Sequence, residues 1–233
     1  MDGCRSGWVA AIFENSLFER FETYPVFDVL WKEHGDAECI CVDIPVGLAG
    51  SGQKQRQCDV AARKILGRPR ASSVFSPPCR EALHAPSFRV AGDINLANTG
   101  KKISLQTWNI INKIRQVDDL LQKSDNSTRE KIIETHPEVC FRAFDKRPMY
   151  YNKQYRNGGF HERFLLIRRL LPDLDEISIL RSAKCLNGVE PDDLLNSLVL
   201  GLTAGRMDSF ICLPEVPQYD STGLPMRICY SLF

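Results

Sequence analysis

ECICVDIPVGL, residues Glu38 to Leu48, is the stretch on which the fold turns. Cys39, Cys41 and Asp43 alternate with Ile40, Val42 and Ile44, so an extended chain here is apolar on both faces except at Asp43. Pro45 cannot donate to a ladder, and strand pairing fades just after the acid. Two readings of Asp43 stand open. It caps the following turn, or it is a carboxylate held at the mouth of a sheet, where α/β proteins place their chemistry.

Working outward, Gly7 to Phe13 and Leu17 to Tyr24 read as two strands joined by a hairpin turn at Glu14-Asn15-Ser16. Pro25 to His34 reads as a short helix ending at Gly35. Cys58 to Leu66 reads as a helix stopped by Gly67. The next segment, Arg68 to Thr99, carries prolines at 69, 77, 78 and 86 and is expected to be an irregular, loop-rich insertion that could act as a lid. Ser104 N-caps an amphipathic helix with Ile110, Ile114, Val117 and Leu121 at helical spacing. A short strand at Ile132 and Ile133 leads through His136-Pro137 into a helical turn, and Phe160 to Leu171 forms a helix ended by Pro172. Pro191 starts a helix apolar nearly all round, with Asp192 as its expected cap. Three strands, a helix, a fourth strand and then helices predict an α/β fold. A mixed sheet is flanked by helices on both faces, its first three strands meander, and its fourth returns beside the first.

Composition sets bounds. The 233 residues are 43% hydrophobic and 25% charged with a net charge of +1, which fits a single domain spanning residues 1–233. Near-neutrality gives no general argument for nucleic-acid binding, so only a local patch could supply it. The apolar runs fall short of a membrane span, and Met1-Asp2-Gly3-Cys4-Arg5 does not read as a signal peptide. Nine cysteines, with no CxxC pair, fit buried free thiols in a reducing cytosol better than a disulfide framework or a zinc site. A cytoplasmic protein is therefore expected.

If the first strand ends near Asp2 and lies beside the strand that ends at Asp43, two carboxylates meet at neighbouring strand ends and could share a cation. Mg2+ or Mn2+ would suit such oxygen ligands, and a pair of such ions can clamp an in-line phosphoryl displacement. In PDDLLN, Asp193 and Asn196 share one face of a first helical turn and offer further ligands. The alternative for Asp192 and Asp193 is simple dipole complementarity at a helix start. Glu134 and Glu138 flank His136-Pro137 and offer another carboxylate, or solvated charge. Arg56, Arg63, Lys64, Arg68, Arg70 and Arg80 gather around the segment after Asp43 as a phosphate-contacting patch or a solvated face. Lys153, Arg156, Arg163, Arg168 and Arg169 read as solvated surface. No glycine-rich phosphate loop, GxSxG elbow or metal-spaced His/Cys set occurs in the sequence.

DGCRSGW (2–8), VDIPVGL (42–48), CDVAARKILG (58–67), SVFSPPCR (73–80), ISLQTWNIINKI (103–114), ETHPEVCF (134–141) and DDLLNSLVLGLTA (192–204) occur in this order. Together they closely resemble the family called domain of unknown function 429, regarded as predicted nucleases of the RNase H-like fold. The resemblance runs from Asp2 to the terminal RICY. It implies that Asp2 ends the first strand, Asp43 ends the fourth, and the helix from Asp192 carries the last ligands. It thereby implies an RNase H-like sheet and a metal-dependent nuclease hydrolysing phosphodiester bonds; taken together with the residues read above, Asp2, Asp43, Asp193 and Glu138 are the expected catalytic acids. Asp2, Asp43, Asp193 and Asn196 would be the ligands of Mg2+ or Mn2+, and Arg63, Arg68, Arg70 and Arg80 would contact nucleic acid. Two departures stand out. Only Met1 precedes the first acid, where the family usually has several apolar residues, so the first strand is expected to be cropped or Asp2 poorly held. Asn196 occupies a position where an acid is more typical. A non-catalytic nucleic-acid-binding or regulatory protein on the same fold is the alternative. A phosphotransferase on an actin-like fold would need phosphate-cradling glycine loops that are missing from the sequence.

Overall fold

The computed structural model describes residues 1–151 and 158–232, with Pro69 described by its backbone alone. Three strands open the chain: β1 (Asp2–Cys4), β2 (Gly7–Glu14) and β3 (Leu17–Tyr24), paired antiparallel in that order. The β2–β3 turn places Asn15 and Ser16 at φ of 50° and 65°, the doubly left-handed backbone whose twist matches a two-residue hairpin. Helix α1 (Phe27–His34) leads to β4 (Ile40–Val42), which pairs parallel with β5 (Ile132–Glu134). Between them lie α2 (Gln57–Arg70), α3 (Phe88–Thr99), α4 (Leu105–Lys123) and α5 (Asn126–Lys131). Helices α6 (Pro137–Asp145), α7 (Gly159–Leu170), α8 (Glu176–Cys185) and α9 (Pro191–Ala204) follow, and the hairpin β6 (Ile211–Tyr219) and β7 (Pro225–Tyr230) comes last.

Two backbone hydrogen bonds join the first two ladders. Met1 N donates to Cys41 O at 2.7 Å and Asp43 N donates to Met1 O at 3.2 Å. One residue bonding to positions on either side of Val42 is the pattern of a parallel pair. It sets β1 beside β4 and gives the order β3-β2-β1-β4-β5. The fourth strand does return alongside the first.

The pleat then sorts side chains between two cores. Met1, Trp8, Ala10, Ile40 and Val42 pack with α1 and α4 residues such as Phe27, Leu30, Ile111, Ile114 and Val117. The opposite face sends Cys4, Val9 and Cys41 against Phe141, Ile167, Leu195, Leu198 and Val199 of the later helices. Trp8 is fully buried, and its Nε1 donates to Gln116 Oε1 at 2.9 Å, so the ring brings no unsatisfied donor into the core. A third cluster packs Cys58, Ala62 and Leu66 of α2 against Met226 and Ile228 of the final hairpin.

The expected helices at 25–34, 104 onwards, 160–171 and 191 onwards are all present. Helix α2 is broken where expected, with Gly67 at φ 54° and ψ −165°, and it resumes for a last turn. Residues 68–99 are less irregular than expected, because Ser87 accepts a hydrogen bond from Val90 N and caps α3. The cap of α9 is Glu190 rather than Asp192. The Glu190 side chain bonds the Asp193 backbone, while Asp193 accepts from Glu190 N at 2.9 Å. Cys212 and Cys229 stand opposite one another on β6 and β7 and form a disulfide, which corrects the expectation that all thiols are free. Of the remaining seven, Cys185 is exposed and Cys39 is partly so. No helix among the described residues is long and apolar enough to cross a membrane.

The β1–β2 turn is docked on the approach to α9. Arg5 N donates to Gly188 O at 3.0 Å and Ser6 Oγ to Asn187 O at 2.6 Å. Gly7 closes this turn at φ 140°, and a Cβ there would lie 2.1 Å from Tyr24 O and 2.8 Å from Pro25 O. Both obstacles are backbone, so nothing yields cheaply. Gly7→Ala is expected to destabilise the fold by about 3 kcal/mol, read as a lowered urea midpoint with an unchanged slope.

Candidate metal centre

Continuing the β1–β4 register by one residue sets Asp2 beside Asp43, one strand spacing of about 4.8 Å away, on the face covered by α9. Asp2 is 8% exposed and firmly held. Its Oδ1 accepts from Gly3 N at 2.7 Å, and its Oδ2 accepts from Asn196 Nδ2 at 2.7 Å. A short first strand therefore does not leave Asp2 loose. Asn196 is 4% exposed, and its Oδ1 has no hydrogen-bond partner among the described residues. Asp43 is half-buried just past β4, within electrostatic reach of the Cys140 thiol.

Asp193 lies one helical turn before Asn196, with one oxygen engaged in the α9 cap. Among the described residues, the clusters of acidic, thiol and imidazole groups with ligand atoms within 4.8 Å of one another are Glu22–Glu33–His34 and His84–Asp118–Asp119. Asp2, Asp43 and Asp193 do not close to that distance as a set. Neither observed cluster stands ready for a cation. Glu22 accepts from Arg20, Tyr24 and His34, and Asp118 is gripped by Arg80.

The segment after Asp43 is fixed by a buried arginine that sequence reasoning had placed with a surface patch. Arg56 is fully buried, with Nη2 2.5 Å from Glu134 Oε1 and 3.3 Å from Asp59 Oδ1, and Nη1 donating to Gly47 O at 3.2 Å. Glu134 Oε2 accepts from Val46 N at 2.7 Å. One ion pair thus ties β5 to both ends of the Val46–Gly47 turn. The Arg-Gln-Cys-Asp run at 56–59, which sets an arginine and an acid three apart at a helix start, was the signal available in the sequence.

The other basic residues divide. Arg70 is buried, donates to Met149 O at 2.7 Å and lies 3.9 Å from Glu138. Arg80 forms a two-pronged pair with Asp118 at 2.8 and 2.9 Å and reaches Asp220 at 2.5 Å. Arg63 donates to Val74 O and Ser76 Oγ, holding the loop around Phe75. Of the four arginines expected to contact nucleic acid, Arg68 alone is exposed. Buried charges need partners, and three of the four have been drawn inward to meet them. Glu138 is likewise committed, since it is buried and ion-paired with the fully buried Arg163. Arg163 therefore leaves the expected solvated stretch, while Arg168 and Arg169 are exposed and Lys153 and Arg156 lie outside the described residues. His136 Nε2 lies 3.4 Å from Ser73 O, in a structural position.

A family model described as "Protein of unknown function (DUF429)" matches residues 1–218. The chain belongs to that family. Searches of curated proteins and of solved structures each return no match. In this DUF429 member, burial pushes the thiols of Cys58 and Cys140 up to about 12 and that of Cys79 to about 11, so none of them supplies a thiolate near neutral pH. The oxygen-rich set Asp2, Asp43 and Asn196 suits a hard divalent cation, and the unpartnered Asn196 Oδ1 is an acceptor that such a cation would satisfy.

Burial raises the Glu134 carboxyl to about 7, against the opposing pull of Arg56. A carboxyl raised on folding stabilises the protein fully below its unfolded value, and that contribution is lost as pH rises through the folded value. Raising the pH from 5 to 8 should therefore lower the stability of the wild type more than that of Glu134→Gln, which keeps an acceptor for Val46 N. Thermal melts of both proteins across that range check the sign. A wider pH loss in the variant would reverse it.

Proposed function

We propose that this protein is a metal-dependent phosphodiester hydrolase on an RNase H-like sheet. The observation that carries the reading is the meeting of Asp2 and Asn196 beside Asp43, with the Asn196 amide oxygen buried and unpartnered. The strand order β3-β2-β1-β4-β5, with Asp43 just past the end of β4 beside Asp2, which opens β1 instead of ending it as expected, supports the same scaffold. Asp2, Asp43 and Asn196 would hold Mg2+ or Mn2+. Asp193 would join by turning from its cap toward the same point. When bound, such a cation supplies charge neutralisation for a phosphoryl group and acidifies coordinated water.

The chain's own residues do the positioning. Gly3 N and Asn196 Nδ2 fix the Asp2 carboxylate in one orientation. Arg56 and Glu134 hold the turn after Asp43, so the acid projects from a rigid strand end. Glu138 and the arginines at 70 and 80 are structural in this reading, and Lys64 and Arg68 are the exposed members of the original patch still open to a phosphate.

A second reading is favoured by one specific observation: an amide stands at 196 and Asp193 serves the helix cap, so the three acids do not converge. A binding or regulatory protein that keeps the scaffold without turnover would show this arrangement.

Melts with and without millimolar Mg2+ or Mn2+ separate a specific site from none. At a cation concentration 100 times Kd the wild type gains about 2.7 kcal/mol, and Asp43→Asn should lose most of that gain. Asn196→Asp is expected to bind Mn2+ at least tenfold more tightly and to cleave a panel of DNA, RNA and hybrid substrates faster than the wild type. A folded Asn196→Asp protein that binds no additional metal and cuts nothing would leave the binding reading.

A further inference from the structure

A cavity of about 280 Å³ lies among the turn after Asp43, the start of α2, the loop around Phe75 and the start of α4. Small-molecule pockets usually hold about 300–1,000 Å³, so this volume suits one small ligand. Its walls differ sharply in character. Exposed Lys54, Lys101 and Lys102 set positive charge at the rim. Ser104 and Gln106 bring in the N-terminal end of α4, a 19-residue helix whose dipole adds to that charge. Half-buried Phe75 supplies an aromatic surface to the lining.

The floor is acidic. Asp59 is 3% exposed and lines the cavity, with Oδ1 held 3.3 Å from Arg56. Its Oδ2 is buried without a hydrogen-bond partner among the described residues. Native proteins pair their buried polar atoms, so an orphan carboxylate oxygen on a residue that lines a cavity is an acceptor that a donor from outside the chain would satisfy. Asn95 stiffens the opposite wall, accepting from Cys79 N and donating to Lys101 O, each at 2.7 Å.

We propose that this cavity binds one phosphorylated nucleoside whose base carries an exocyclic amino group. The phosphate sits among Lys54, Lys101 and Lys102, the base lies against Phe75, and the amino group donates to Asp59 Oδ2. That oxygen is screened from solvent, so binding requires the side chains around it to move and admit the amino group. A simple anion would suit the rim but confront the carboxylate. A simple cation would suit Asp59 but be repelled by the lysines. A molecule that is anionic at one end, flat in the middle and a donor at the other satisfies all three walls. Uracil is a poor fit because its single imino donor is flanked by two carbonyl oxygens that oppose the carboxylate. This binding needs no divalent cation and does not rest on the hydrolase reading.

Calorimetric titration of the whole protein in EDTA with CMP, AMP, UMP and inorganic phosphate tests the assignment. CMP or AMP should bind at least tenfold more tightly than UMP, with phosphate weaker still. Exchanging the exposed pair, Lys101→Glu with Lys102→Glu, should weaken every nucleotide tenfold or more at an unchanged melting temperature. Asp59→Asn should shrink the CMP-to-UMP ratio below threefold. Because Asp59 also pairs with Arg56, the lysine pair decides the matter if that variant unfolds. A short cytidine oligonucleotide that displaces CMP identifies the end of a strand as the source of the nucleotide, and one that does not identifies a free nucleotide. Equal affinity for CMP and UMP, no binding at millimolar concentration, or indifference to the lysine exchange would overturn the proposal.

Discussion

The Arg56–Glu134 pair is the constraint around which the rest is arranged. A guanidinium buried without solvent demands several acceptors, and this one draws on β5, on the start of α2 and on the turn after β4. Glu134 completes the link by accepting from Val46 N. The turn that carries Asp43 out of the sheet is thereby fastened at Val46 and Gly47, within four residues of the acid. Nearby, Arg80 does similar work for Leu48 and Ala49, because Asp220 accepts from both Arg80 and Leu48 N, and Arg80 N bonds Ala49 O. Two internal arginines thus stiffen one short loop, which is how a strand end becomes a fixed platform for a functional group.

Much of the architecture could be read from patterns. Alternation over β2 and β3, Gly35 after α1 and the apolar surround of α9 each follow from a local rule with little tertiary competition. What escaped depended on distant partners. Helix α3 carries weak amphipathic patterning, with Gly92 in its middle, and its Ser87 cap is ordinary in a loop. The terminal hairpin contains Pro214, Pro217 and Pro225, which argue locally against strand, yet its two cysteines face each other across the ladder. The choice of Asp192 as cap failed because Glu190 and Asp193 satisfy one another reciprocally, a three-dimensional advantage that a single residue type does not reveal.

The candidate site divides along the same line. The proximity of Asp2, Asp43 and Asn196 was legible from adjacent strands and helix spacing, although Asp2 opens β1 rather than ending it. The fate of the arginine patch was not. A run of basic residues looks alike in sequence whether its members reach solvent or find acids inside, and Arg56, Arg70, Arg80 and Arg163 all found acids. The pairing of Glu138 was hidden for the same reason. An acid beside a histidine and a proline suggests chemistry until its arginine partner, 25 residues away, is located.

The Asp2–Asn196 hydrogen bond joins positions 194 residues apart. A ribosome adding about 5–20 residues per second takes roughly 10–40 s to make the intervening chain. Throughout that interval the first strand exists while the helix that completes its surroundings does not. The centre is consequently incomplete until α9 has been made. Any prematurely terminated product lacking α9 would retain Asp2 and Asp43 but expose the apolar face that α9 covers, making it a client for chaperones or proteases.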